Sequence, residues 1–157
     1  MRGTAEELIA LGAAVVGLKL GSEGWYLRTT ATESRLAALR ACVPQVEEWA
    51  DRELLAPCFA VEVVGTTGSG DCSVAGFLAG LINGLSPEET MTSAVAVGAC
   101  NVEATDATSG IPTWTEVQAR VRGGWARRAV TIPLPGWEWD EQTAIWRGPA
   151  EARRERC

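Results

Sequence analysis

The chain has 157 residues, 46% of them hydrophobic, enough for one domain with a buried core. Its net charge of −6 argues against nucleic acid and against an anionic membrane surface, since both call for clustered positive charge. There is no histidine, which removes the Ser-His-Asp triad, the Cys-His dyad and most zinc or iron sites.

Thr4-Ala5-Glu6-Glu7 has the form of a capping box, with Thr4 as N-cap and Glu7 at the third helical position. It predicts a helix with Leu8, Ile9 and Leu11 as its apolar face and Gly12 as its end. The glutamates of this segment stand where a signal peptide needs an apolar core, so a cytoplasmic location is expected. Residues 13–20 and 25–28 read as two strands. The short turn Gly21-Ser22-Glu23-Gly24 makes them a hairpin.

Residues 33–39 and 46–55 are expected as short helices on either side of Pro44. Residues 59–64 alternate as a strand that runs into a glycine-rich loop, and residues 71–83 follow as a helix stopped by Gly84. Its apolar stretch, residues 74–82, is about half of the ~20 residues a membrane span requires. Ser86-Pro87-Glu88-Glu89 is a strong helix start, and that helix is expected to reach about Glu103. Thr113 and Glu116 repeat the capping pattern before a last helix ending near Gly123.

Residues 130–148 carry Trp137, Trp139 and Trp146 without helical period and read as a tail on the domain surface, its tryptophans covering exposed core. Arg153, Arg154 and Arg156 alternate with Glu151 and Glu155, a pattern expected of a solvated end. Cys42, Cys58, Cys72, Cys100 and Cys157 are scattered among apolar residues without a CxxC, as small buried hydrophobes are in a reducing compartment. Strands mixed with helices make the class α/β.

Chemistry concentrates in Val63-Val64-Gly65-Thr66-Thr67-Gly68-Ser69-Gly70-Asp71-Cys72, a strand, a glycine-rich loop and a helix start. Unpaired N–H groups and the dipole of a helix N-terminus attract anions, and glycine lets a phosphate approach the backbone. Gly65 and Gly70 have P-loop spacing, yet Asp71 stands where that motif needs lysine. A carboxylate there can instead accept a proton from a substrate hydroxyl while the amides hold a transferring phosphoryl group. The plainer alternative is a glycine-rich turn followed by Asp71 as a helix N-cap, which is common. The small residues Ala75, Gly76, Ala79 and Gly80 in the helix behind it favour the functional reading.

TTGSGD followed by an Ala/Gly-rich helix resembles the second signature of ribokinase-like (PfkB-type) carbohydrate kinases. The resemblance covers about Leu8 to Val121 and implies an incomplete ribokinase-like three-layer fold, its carboxy-terminal portion. It implies Asp71 as catalytic base, with Gly68, Ser69 and Gly70 forming an anion hole. Lys19-Leu20-Gly21-Ser22-Glu23-Gly24 matches the family's nucleotide-contacting turn, so Lys19, Gly21, Ser22, Gly24, Thr66 and Gly70 are expected around ATP and its Mg2+. Ser109-Gly110-Ile111-Pro112-Thr113 resembles the family's closing loop. Where the signature usually has an aspartate that helps a monovalent-cation site, this chain has Gly65, so potassium activation is not carried over.

The resemblance further implies a sugar or nucleoside-like substrate, and members roughly twice this length. Residues 1–128 are then the nucleotide-binding and catalytic half, and residues 129–157 a Trp/Pro-rich tail. A homodimer or a separate amino-terminal half would be the protein partner. Two alternatives stay open: a non-catalytic nucleotide-binding fragment, and a structural complement of that separate half.

Overall fold

The computed structural model describes residues 1–151. Helix α1, Arg2–Ala10, begins two residues before Thr4, whose side chain caps nothing; Met1 is the N-cap. Arg2 pairs with Glu6 one turn on at 2.9 Å, which favours the earlier start. The helix buries Ala5 and packs Ile9, while Leu8 and Leu11 are exposed, so the expected apolar face is rotated. It ends as expected, with Gly12 at φ +113°.

Strands β1, Val15–Lys19, and β2, Trp25–Thr29, form the expected antiparallel hairpin, with Lys19 opposite Trp25. The next segment departs from expectation. Helix α2, Glu33–Leu36, is one turn continued as 3-10 structure through Ala37–Ala41. Residues 46–55 are not a helix: a 3-10 turn at Val46–Trp49 is followed by strand β3, Glu53–Ala56. Leu54 and Leu55 lie opposite Leu27 and Tyr26 of β2, and this pairing decides the conformation of an apolar run that periodicity leaves ambiguous.

Residues 59–64 form no strand. Phe59 makes one isolated bridge with Arg127, Ala60 donates to Ala126, and Val64 donates to Val102 at the end of a helix. No single neighbouring strand serves the whole segment, so no ladder extends along it.

Helix α3, Ser69–Ile82, starts two residues earlier than expected. Helices α4, Pro87–Val102, and α5, Trp114–Arg122, both carry the full capping boxes anticipated at Ser86/Glu89 and Thr113/Glu116. The surface-tail expectation for residues 130–148 is corrected by two further strands, β4, Glu138–Asp140, and β5, Ile145–Arg147. They extend the sheet to the order β1-β2-β3-β5-β4, antiparallel throughout.

Alternation along the strands divides the core into two layers. Trp25, Leu27, Leu54 and Ala56 face α3 and α4, while Val16, Tyr26 and Leu55 face α1 and residues 130–137. Trp137 lies 6.0 Å from the Tyr26 ring, so it does cover core, as expected of it. The α3–α4 contact is close because it is made at glycines. A Cβ on Gly76 would stand 2.7 Å from the Ser93 carbonyl oxygen, and one on Gly80 2.9 Å from the Thr90 Cα. This packing fixes α3 against α4.

Glu151 is not part of a solvated end. It is 5% exposed, and its carboxylate accepts from the buried Arg52 guanidinium at 3.0 and 3.1 Å. Arg52 also pairs with Glu88 in the first turn of α4. Burying Arg52 takes it from water, and two carboxylates compensate the charge. The other residues of that expectation, Arg153, Arg154, Glu155 and Arg156, lie outside the described residues. Cys72 and Cys100 are buried and Cys42 and Cys58 partly so; Cys157 also lies outside the described residues.

Candidate active site

The glycine-rich loop enters α3 through Gly68, whose φ of +77° is left-handed. Val64 and Gly65 both donate to the Val102 carbonyl, at 2.8 and 3.2 Å, which ties the loop to the end of α4. A Cβ on Gly65 would lie 2.7 Å from the Ala104 oxygen, so the loop runs close against the backbone that follows α4. From the other side Ala107 accepts from the Asn101 amide at 2.7 Å and contacts the Cys72 sulfur at 3.4 Å. Asp106 holds that second loop in place by accepting from the Thr108 and Ser109 amides at 2.8 and 2.7 Å. Bonding to Ser109 and Thr108 pulls its carboxyl down to about 2.

At the head of α3, Cys72 donates to Gly68 at 2.9 Å, and Ser69 donates to Thr66 at 3.3 Å. The amides of Gly70 and Asp71 have no partner among the described residues. They are the unpaired donors that a helix N-terminus offers an anion. The Lys19 ammonium stands over Gly70, so closely that a Cβ there would collide with it. Lys19 itself forms no ion pair among the described residues. A strand-end lysine is usually only a solvated side chain; this one is exposed, but its position puts a free cation next to two free amides.

A cavity of about 350 Å³ opens beside this group. It brings together Lys19, Gly21, Ser22 and Gly24 from the β1–β2 turn with Thr66, Ser69 and Gly70 from the loop, residues remote in sequence. Gly68 and Asp71 do not line it; Asp71 is the next residue beyond and its carboxylate is exposed. The rest of the wall was missed in the sequence. Cys58, Phe59 and Val61 line it together with Val95, Ala99 and Val102 of α4, and Arg128 joins them. Nothing local marks these positions, because each enters the wall through tertiary packing. The lining thus combines a polar set, Lys19, Thr66, Ser69 and Gly70, with an apolar set that includes Cys58 and Phe59.

The pfkB family carbohydrate kinase model matches residues 3–114, which include both the turn and the loop. The chain belongs to the PfkB family of carbohydrate kinases. It is 32% identical over 111 residues to 2-dehydro-3-deoxygluconokinase of Bacillus subtilis, covering 71% of this chain and 28% of that protein. Ribokinase of Thermotoga maritima superposes with a TM-score of 0.58 at 28% identity, over 76% of this chain and 34% of that one. Aminoimidazole riboside kinase of Salmonella enterica, solved with aminoimidazole riboside and an ATP analogue, does so with 0.55 at 25%, over 75% and 35%. The matched part of this PfkB chain covers about a third of the length of each of these relatives.

The PfkB cavity suits a nucleotide in its chemistry, since its lining combines apolar side chains with a lysine and lies beside unpaired amides. Among the described residues no group of three or more acidic or sulfur side chains could hold a metal ion. No helix among the described residues is long and apolar enough to cross a membrane.

Proposed function

We propose that this chain carries the nucleotide-binding and phosphoryl-transfer part of an ATP-dependent kinase acting on a hydroxyl of a sugar or nucleoside-like substrate. The observation that carries the reading is the meeting of two remote segments at one cavity. The β1–β2 turn and the glycine-rich loop converge there, with the Gly70 and Asp71 amides and the Lys19 ammonium unpaired beside them.

In this reading the base lies against the apolar lining and the phosphates beside Lys19 and Gly70, with Gly21, Ser22, Gly24 and Thr66 also around the nucleotide. Gly68, Ser69 and Gly70 shape the anion hole. Lys19 offsets charge on the phosphates, much as a P-loop lysine does from a different place. Mg2+ would arrive with ATP and neutralise phosphate charge. Asp71 accepts the proton of the attacking hydroxyl, and its exposure leaves room for a substrate on the side away from the cavity. A cytoplasmic location belongs to the same proposal.

The segment that completes the substrate site would come from a separate amino-terminal part or a second copy. The exposed residues Val74, Leu78 and Ile82 run down α3 from Asp71, and among the described residues β1 pairs only with β2, so an apolar stripe and a strand edge are both open to it. The same observation favours a second reading, a nucleotide-binding fragment without turnover.

Calorimetric titration with ATP, followed by an ADP-release assay over a panel of pentoses, hexoses and nucleosides, tests both. ATP binding by the chain alone is expected, with sugar-dependent ADP release only once the remaining two thirds of a relative is supplied in trans. No ATP binding overturns the proposal. Binding that never leads to turnover after complementation selects the second reading.

A further inference from the structure

The wall of the cavity includes a segment that the PfkB match does not reach. Beyond α5 the chain turns back as residues 125–132, whereas the family model ends at residue 114. This strap is held at both ends. At its start the Trp125 ring stacks on Phe59 at 4.3 Å, and the Arg120 guanidinium lies 3.6 Å over Trp125. The Arg127 guanidinium covers the Phe59 ring at 4.0 Å, completing a stack of cation, ring, ring and cation. Trp125 also donates to the Ala60 carbonyl at 3.0 Å.

Along its length the strap runs antiparallel to residues 58–60, with Ala60 donating to Ala126 and Arg128 donating to Cys58, each at 2.8 Å. At its far end it hooks onto the nucleotide turn. Glu23 accepts from the Thr131 amide at 2.7 Å, from the Thr131 hydroxyl at 2.6 Å and from the Ile132 amide at 3.4 Å. Between these anchors Arg128 lines the cavity beside Cys58. Its guanidinium makes no hydrogen bond or ion pair among the described residues, in contrast to the neighbouring Arg127, which donates to Pro57 and Thr92.

We propose that the strap is a fixed wall of the nucleotide site and that Arg128 contacts the base of the bound nucleotide. The inference rests on the reading of the cavity as a nucleotide site. Arg128 lines the cavity with its amide donating to the Cys58 carbonyl at 2.8 Å, next in sequence to Phe59 of the apolar wall. A planar, weakly hydrated guanidinium with no hydrogen-bond or ion-pair partner among the described residues is suited to stack on a purine face. Backbone pairing and the Glu23 hook hold the strap in place without the nucleotide, so little ordering is left to be lost on binding.

The test compares two ligands by calorimetry on the full chain: ATP, which has a base, and inorganic tripolyphosphate, which has none. Arg128→Ala should weaken ATP by roughly five- to thirty-fold and leave tripolyphosphate unchanged. Arg128→Lys should not restore ATP affinity, because an ammonium cannot stack as a plane. Gly70→Val, beside the Lys19 ammonium, should weaken both ligands. Equal losses of ATP and tripolyphosphate in Arg128→Ala would make Arg128 a phosphate contact and overturn the inference. Unchanged ATP affinity in Arg128→Ala alongside a loss in Gly70→Val would overturn it while leaving the site reading intact. No change in Gly70→Val, or no ATP binding by the unsubstituted chain, would remove the site reading and the inference with it.

Discussion

Arg127 covers the ring of Phe59 at 4.0 Å, and the opposite face of that ring is stacked on Trp125. One aromatic side chain thus serves at once as cavity wall and as the anchor of the segment that closes it. Burial pushes the Arg127 guanidinium down to about 10, still charged near neutrality, with the Phe59 ring and two oxygen acceptors in place of water.

Arg127→Ala removes that cation–π contact together with two hydrogen bonds. It should cost about 2–3 kcal/mol and lower the melting temperature by roughly 4–12 °C. Thermal unfolding followed by circular dichroism checks this. A melting temperature unchanged within error would mean that the stack is incidental to stability.

Asp71→Asn keeps the shape of the side chain and removes its basicity. In the complemented enzyme the turnover rate should fall roughly 10²–10⁴-fold with much less change in ATP affinity. Steady-state kinetics beside calorimetry separate the two effects, and near-normal turnover would remove Asp71 from the mechanism.

Gly70→Val places a side chain where the Lys19 ammonium now stands and between the free amides and any phosphate. Turnover of the complemented enzyme should be lost while the circular dichroism spectrum of the chain is retained. An active variant would reduce the loop to a turn.

Asp106 gives a pH signature. Its carboxyl is lowered to about 2 in the folded chain, from an ordinary value of 3.8, through its bonds to Ser109 and Thr108. A depressed folded value means that its contribution is complete above the unfolded value and is lost as pH falls through the folded one. The stability gap between the unsubstituted chain and Asp106→Ala should therefore be constant above about pH 5 and close between about pH 4 and pH 2. Urea titrations across that range measure it, and a gap that does not depend on pH would show that the carboxylate's charge contributes nothing.

Features that one segment can specify by itself were legible in the sequence. The capping boxes at Ser86/Glu89 and Thr113/Glu116 are closed by side chains three residues apart, and both form as expected. The same pattern at Thr4/Glu7 does not, since the helix begins earlier, at Arg2. Leu54 and Leu55 look alike in a helix and in a strand until β2 is beside them. The turn at Gly21–Gly24 and the loop at Gly65–Gly70 are recognisable from their own residues, and residues of both line one cavity. Arg128 is not recognisable in this way, because its place depends on Glu23, Phe59 and Trp125 holding the strap across it.

The pairing of β3 with β5 joins Leu54 to Arg147 and Leu55 to Trp146. A ribosome makes the first of these strands long before the second, so the nascent chain can build β1, β2, β3 and the α3–α4 pair while one side of β3 still has no neighbour. Arg52 waits through the same interval for Glu151, with only Glu88 to offset its charge. The end of the described chain thus acts as a late closure. Any delay in synthesis after β3 prolongs the time in which an unprotected strand edge can pair with another chain.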